Sequence, residues 1–392
     1  MQKNNNGFTL VELIVVIGIF VVVIAITGKG LNAVLKHVSL QSKIAEGNIE
    51  GVLGLEMMRR DISSAGFGLP WSFQDETINY SEVNGPLNDK TRFASTFNDS
   101  TTNRIRAVAG GNFNNADPYD HSYDNQSVRL KGTDYLVIRS TTVGSPVAAQ
   151  RWSYMNYTGA VKPDRVKPFS WPKGNLESKN LVIVERVGLS GRFTRELVMS
   201  EKSFHTTYDN LAKFEPVEPK VNYYIYGVDD GNDPDSTLRM PFNRADYYVR
   251  VPVGADLPRR CASNSGILYK ATINQANGSM RELPLLDCVA DLQVVYSLDS
   301  KKSGTMTETD DISLLTAGQI REQLKSIKVY ILTHEGGKDF SFNYPASTIS
   351  VGPAGTGRNF DLAANIGPGY DNYRWKVYFM TVKPLNINVT TE

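Results

Sequence analysis

Four histidines, two cysteines and a short run of aspartates are the groups through which this 392-residue chain could do chemistry. His37, His121, His205 and His334 are scattered and form no HExxH or related metal-binding spacing. His121 and Asp124 share the polar string YDHSYD, which reads as a surface loop before it reads as an acid–base pair. Asp229, Asp230, Asp233 and Asp235 fall within eight residues around Gly231, and hard carboxylate oxygens in a glycine-containing loop can hold Ca2+. The EF-hand register fails there, since the glycine and the distal glutamate are misplaced. A solvated acidic hairpin is the simpler reading, and no metal or organic cofactor is expected. Cys261 and Cys288, with 26 residues between them, fit neither a zinc site nor a CxxC redox motif. In an oxidising compartment a bridge between them would stabilise the chain by about 3.5 kcal/mol; otherwise they are two buried thiols. Trp152, Tyr154, Tyr157 and Trp171 lie close in a polar stretch, where aromatic rings either pack or touch a ligand. No GxSxG, Walker A or GxGxxG string stands in a usable context, so an enzyme is not expected.

The strongest anomaly is a single carboxylate. Residues 8–27 read FTLVELIVVIGIFVVVIAIT, in which Thr9, Glu12 and Thr27 are the polar members. At a rise of 1.5 Å per residue such a segment is about 30 Å long, the thickness of a bilayer's hydrocarbon core. A carboxylate at the centre of a membrane helix costs about 2.5–3.5 kcal/mol and marks a functional site by default. A secretory signal is cut after its apolar stretch. Here the small residue Gly7 comes before it, so cutting between Gly7 and Phe8 would keep the helix on the mature chain. The new amine at Phe8 would stand four residues from Glu12, and in a staggered pack of parallel helices one subunit's Glu12 would meet its neighbour's amine.

Composition supports one apolar segment attached to a globular body. The mean hydropathy of −0.29 excludes a polytopic membrane protein, and 41% hydrophobic residues exclude a disordered chain. The 42 Lys and Arg nearly cancel the 41 Asp and Glu. Without a basic excess, counterion release has no general source and no nucleic-acid partner is expected.

The string Gly7-Phe8-Thr9-Leu10-Val11-Glu12 followed by LIVVI resembles the type III signal of type IV prepilins and of type II secretion pseudopilins. The resemblance implies that prepilin peptidase cleaves after Gly7 and N-methylates Phe8, and that Glu12 serves subunit docking in a helical filament. The segment RRDISSAGFG, residues 59–68, is similar to the one that follows the long helix in PilW-type minor pilins and in PulJ-type pseudopilins. Weaker likenesses in GTDYLVIRS from Gly132, VNYYIYGVDD from Val221, LLDCVADLQVVYSLD from Leu285, IREQLKSIKVYILT from Ile320 and YRWKVYFMTV from Tyr373 reach the end of the chain. What is implied is a minor pilin that joins a priming or tip complex for type IV pilus assembly. Its partners would be other minor pilins, the major pilin, prepilin peptidase, the inner-membrane assembly platform and the membrane. It would be a single-pass inner-membrane protein with a periplasmic head, later part of a pilus at the cell surface. Lys29, Lys36 and Lys43 follow the apolar run while Lys3 precedes it, so the positive-inside rule does not itself favour that orientation. The alternatives are a PulJ-type pseudopilin of a type II secretion system, and a tip adhesin or binding module.

These readings require elements to position them. With no proline before Pro70 and apolar residues at Leu31, Val34, Leu35 and Val38, the pattern predicts a helix from Phe8 to about Ser63. Gly28 and Gly30 are candidate hinge points, and Gly47, Gly51 and Gly54 share a face that would let another backbone approach. Gly66 and Pro70 end the helix. Alternating apolar runs predict strands at 135–139, 181–187, 195–199, 221–226, 247–251, 267–271, 292–297, 327–333 and 374–382. Ile327, Val329 and Ile331, and Trp375, Val377 and Phe379, are the apolar faces expected to pack on the long helix. The implied fold is α+β and pilin-like: a leader at 1–7, a transmembrane or filament-core helix at 8–27, its amphipathic continuation at 28–66, and an antiparallel β-rich exported head at 67–392. Polar insertions are expected at 88–125, 154–180 and 301–319.

Overall fold

The computed structural model describes residues 10–73, 78–84, 94–99, 105–111, 132–188, 194–232, 237–252 and 257–387, and within the long helix it describes few side chains between residues 25 and 50. An unbroken helical backbone, α1 (Leu10–Ser63), runs for 54 residues, about 81 Å. It passes through Gly28, Lys29 and Gly30 without a break. Gly66 takes a left-handed conformation (φ 82°) and its N–H bonds to Arg139 O at 2.9 Å, which ends the helix as expected.

The head is built from strands β1 (Ser72–Phe73), β2 (Val108–Gly111), β3 (Tyr135–Ser140), β4 (Trp152–Met155), β5 (Leu181–Gly188), β6 (Thr194–Leu197), β7 (Thr206–Thr207) and β8 (Asn222–Asp229). They continue with β9 (Asn243–Arg250), β10 (Gly266–Ile273), β11 (Met280–Leu298), β12 (Thr307–Thr309), β13 (Leu324–Glu335), β14 (Thr348–Val351), β15 (Arg358–Asp361) and β16 (Arg374–Val382). Two short α-helices, α2 (Ala317–Gln323) and α3 (Leu362–Asn365), join them, with 3-10 turns at Thr141–Val143, Ala148–Gln150, Ala212–Phe214 and Tyr370–Asn372. All nine predicted strands are present. The large sheet has the order β16-β13-β11-β10-β9-β3-β2, with β12 beside β11; the smaller has the order β1-β6-β5-β8-β4, with β7 beside β5.

Helix α1 packs on the large sheet at β11, β13 and β16. Ile327, Val329 and Ile331 are fully buried with Met58 and Ile62 of the helix, as their alternation predicts. The expectation for β16 is corrected. Ile331 pairs with Tyr378 and Val329 with Met380, so Tyr378, Met380 and Val382 share the helix-facing side. Trp375 and Val377 pack instead on the opposite face, beneath the β14–β15 hairpin and α3 with Val351, Phe360, Leu362 and Ile366. The reason is a second apolar layer, from residues 336–373, that gives the outer face a core of its own. Pattern alone cannot say which of two apolar faces meets the helix.

The insertions have distinct fates. Most of 88–125 lies outside the described residues. The 154–180 stretch lies along edge strand β4, where Phe169 N–H bonds to Tyr154 O at 2.8 Å and covers the edge. The 301–319 stretch supplies β12 and Thr316, whose hydroxyl accepts from Gln319 N–H in a capping box that starts α2.

A buried charge network ties residues 78–99 to β3 and β9. Glu82 bonds both Arg139 Nε and Arg244 Nη1 at 2.9 Å, and Arg244 also forks onto Asp246 at 2.7 and 2.8 Å. Arg139 reaches Asp99 at 3.2 Å, and Asp99 also holds Arg106 at 2.8 Å. The guanidiniums thus have carboxylate partners, which buried charges require.

Candidate functional site

The site is the long helix and its junction with the head. Its first half is apolar around the whole circumference: the thirteen large hydrophobic side chains from Leu10 to Ile24 are between 51 and 73% exposed. A helix that is hydrophobic all round is a buried helix. Covering such a side chain is worth about 1.5–3 kcal/mol, so the surface offers on the order of 20 kcal/mol to whatever encloses it. Glu12 sits in the first turn of the described helix, where a carboxylate is favoured by the helix dipole. Gly18 leaves a bare patch on the same stretch, with no atom within 4 Å of where a Cβ would stand. Among the described residues no helix is long and apolar enough to cross a membrane. The span expected from Phe8 to Thr27 begins outside the described residues, as do Gly7 and Phe8 themselves, and the described apolar side chains stop at Ile24.

The junction begins where the helix meets the sheet. Gly51 faces Leu286 and Tyr378, and a Cβ at Gly54 would overlap the Leu285 carbonyl. Of the three glycines expected to admit another backbone, Gly54 does so, Gly51 meets the sheet's side chains only, and the surroundings of Gly47 are not described. Further along, Met58, Asp61, Ile62 and Ala65 are buried. The Asp61 carboxylate accepts from the Tyr247 hydroxyl at 2.6 Å and pairs with Lys270 Nζ at 2.5 Å. Burial pushes the Asp61 carboxyl above its ordinary range, and Lys270 only partly offsets that. Arg60 donates to Gln150 at 2.7 Å, Arg195 donates to Gly66 O at 3.2 Å, and Leu385 N–H bonds to Ser63 O at 2.9 Å. Gly68, also left-handed (φ 59°), lies against Thr141 and Tyr226, and Phe67 meets Tyr226 edge-on. The RRDISSAGFG segment is thus the joint at which the helix, both sheets and the chain's final segment meet.

The remaining candidates lie elsewhere. Cys261 and Cys288 form a disulfide with Cα atoms 4.8 Å apart. Asp230 accepts from Val147 and Ala148 N–H at 3.2 and 2.7 Å, and Asp229 accepts from Gly231 N–H at 2.9 Å. Both carboxylates thereby hold backbone, while Asp233 and Asp235 lie outside the described residues. No metal-holding group of His, Cys, Asp or Glu occurs among the described residues. His334 is buried, accepts from Ala262 N–H at 2.9 Å, and is pushed down to about 3 by desolvation and by Arg260. His205 is also pushed down by burial. His121 and Asp124 lie outside the described residues. Tyr157 donates its hydroxyl to Val217 O, whereas Trp152, Tyr154 and Trp171 come together at the edge of the smaller sheet. Sequence reasoning missed the Asp61–Tyr247–Lys270 contact. The only signal for it was Asp61 inside the conspicuous RRDISSAGFG string.

The family model of the prokaryotic N-terminal methylation motif matches residues 2–28. The chain carries a prepilin-type N terminus. Its helix and β-rich head are the layout expected of a pilin-like fold. Among solved structures, a type IV-like pilin from Thermus thermophilus is similar at 16% identity over 40% of this chain and 74% of that one, with a TM-score of 0.20. An overlap of that size decides neither fold nor function. No curated protein matches.

Proposed function

We propose that this protein is a PilW-type minor pilin, anchored in the inner membrane by residues 8–27 and then built into a priming or tip complex of a type IV pilus. The observation that carries the reading is the unbroken helix α1, whose first part falls in the methylation motif, with an exposed apolar stretch and Glu12 in its first described turn. Lipid covers that surface before assembly, and neighbouring helices cover it afterwards. Glu12 then sets register, because a carboxylate moved from water into a helix bundle needs a partner charge, and the Phe8 amine of an adjacent subunit supplies one. The chain acts through packing and not through catalysis, and its partners are other pilins and the assembly machinery.

The test is Glu12→Val in a strain lacking the native copy. Processing is expected to continue, seen as the mature band on a gel, while the amount of this protein in sheared surface filaments falls. Unchanged incorporation would remove Glu12 from docking. Accumulation in a periplasmic pseudopilus, with export of a secreted enzyme lost and surface filaments intact, would favour the type II secretion role.

A further inference from the structure

The smaller sheet carries an aromatic strip that the assembly reading does not use. Trp152 and Tyr154 on edge strand β4 stand beside Tyr226 and Tyr224 of β8, and the covering loop adds Phe169 and Trp171. Tyr154 and Phe169 stack at 5.0 Å, and Trp171 meets both Phe169 and Trp152 edge-on at 4.8 and 4.9 Å. Phe169 is 40% exposed, and Trp152, Tyr154, Trp171 and Tyr224 are half-buried, so the rings form a continuous surface open on one side.

The rings are held in place. Ser153 Oγ donates to Phe169 O at 2.6 Å, and Trp171 donates its indole N–H to Trp152 O at 2.8 Å. Asn175 closes the loop from both sides, accepting from Trp171 N–H and donating to Trp171 O, each at 2.7 Å. Such a surface loses little freedom on binding.

Its polar chemistry is selective. Among the described residues, the Trp152 indole N–H and the Tyr154 and Tyr224 hydroxyls have no protein partner, although Trp171 and Tyr157 have theirs. Asn156 and Asn222 bond each other at 2.9 Å beside the strip, each with one further amide group to offer. Arg186 pairs with Glu218 and Glu196, and Arg151 with Glu177 and the Asn175 carbonyl of the loop, while Lys167 and Lys173 stand exposed two residues from Phe169 and Trp171 and the buried Glu185 lies across from Tyr224. A ligand for this face presents flat C–H surfaces to the negative ring faces and hydroxyls to the phenols, indole and amides. We propose that the strip binds an oligosaccharide, whose pyranose rings have this combination.

The test uses the full-length chain in detergent, titrated with cellopentaose, chitopentaose and maltopentaose while tryptophan fluorescence is followed. At least one is expected to give a saturable change. Tyr154→Ala should weaken binding about tenfold, and Tyr224→Phe severalfold, while Phe379→Ala on the other sheet leaves it unchanged. Tyr224→Phe removes only a hydroxyl and decides the matter if Tyr154→Ala unfolds. The proposal is overturned if none of the three sugars saturates, or if the change survives in Tyr224→Phe at full affinity.

Discussion

The Tyr247 hydroxyl of β9 donates a 2.6 Å hydrogen bond to the Asp61 carboxylate in the last turn of α1. That location is unfavourable for a carboxylate, since the C-terminal end of a helix carries partial negative charge. Burial adds to the cost, and Lys270 at 2.5 Å offsets part of it. Asp61→Asn keeps the shape and strands the ammonium of Lys270. A loss of about 3–5 kcal/mol is expected, as for other broken buried pairs. Tyr247→Phe leaves the ion pair and should cost about 1.5–3 kcal/mol. In the Asp61→Asn/Lys270→Met double variant the losses should not add, because the two side chains share one interaction. Chemical denaturation of the parent, Tyr247→Phe, Asp61→Asn, Lys270→Met and the double variant checks this, and simple additivity of the Asp61 and Lys270 losses would refute the coupling.

Gly54 sets how closely the helix lies on the sheet. A methyl group there meets the Leu285 carbonyl, which belongs to backbone and cannot rotate aside. Gly54→Ala should therefore destabilise by about 1–3 kcal/mol, the usual cost of overpacking, even though alanine favours helix. Val52→Ala, on the exposed side of the same turn, is the control and should leave the unfolding midpoint nearly unchanged. Equal effects of the two substitutions would show that the close approach has no energetic consequence.

Particular residues show what the sequence made legible. The helix was readable to within two residues of its described start, because no proline interrupts it and Gly66 ends it. The nine strands were readable from their alternation. Strand β11 was recognised only from Leu292, although it starts at Met280, because its first part carries Arg281, Glu282 and Pro284 in a half-exposed stretch that breaks the pattern. Glu185 reads as an ordinary outward residue in LVIVERVG. Its burial comes from the packing of the smaller sheet beneath the helix end, which involves residues more than a hundred positions away. The Glu82–Arg139–Arg244 network was illegible for the same reason, since three charged residues distant in sequence meet only through tertiary structure.

Glu185 gives the head a pH dependence. It is fully buried, neither carboxylate oxygen has a hydrogen-bond partner, and desolvation raises its pKa from 4.5 to about 7 despite Arg195. The folded state therefore holds a proton that the unfolded state has released between about pH 4.5 and pH 7. The sign follows: stability contributed by this group is greatest below pH 4.5, falls as pH rises through 7, and then levels off. The fall amounts to roughly 3 kcal/mol. Glu185→Gln has no proton to lose and should show a correspondingly flatter stability profile from pH 5 to 8, with its advantage over the parent chain growing toward pH 8. Parallel profiles for the two proteins would exclude Glu185 as the source.

The leader supplies the last prediction. Cutting between Gly7 and Phe8 removes Met1 to Gly7, including Lys3, and leaves 41 basic against 41 acidic side chains in the mature chain. The mature chain's formal side-chain charge is then zero, so the new amine at Phe8 is a positive charge created four residues from Glu12. N-methylation keeps that charge and adds roughly 14 Da. Intact mass measurement of the protein from its own membranes should show loss of the seven leader residues together with that increment. Gly7→Val places a branched side chain at the scissile bond, and the full-length mass should then persist in the membrane fraction with no methyl increment. If Gly7→Val is processed like the parent, cleavage does not occur at this bond, and the pairing of Glu12 with a Phe8 amine has no charge to act on.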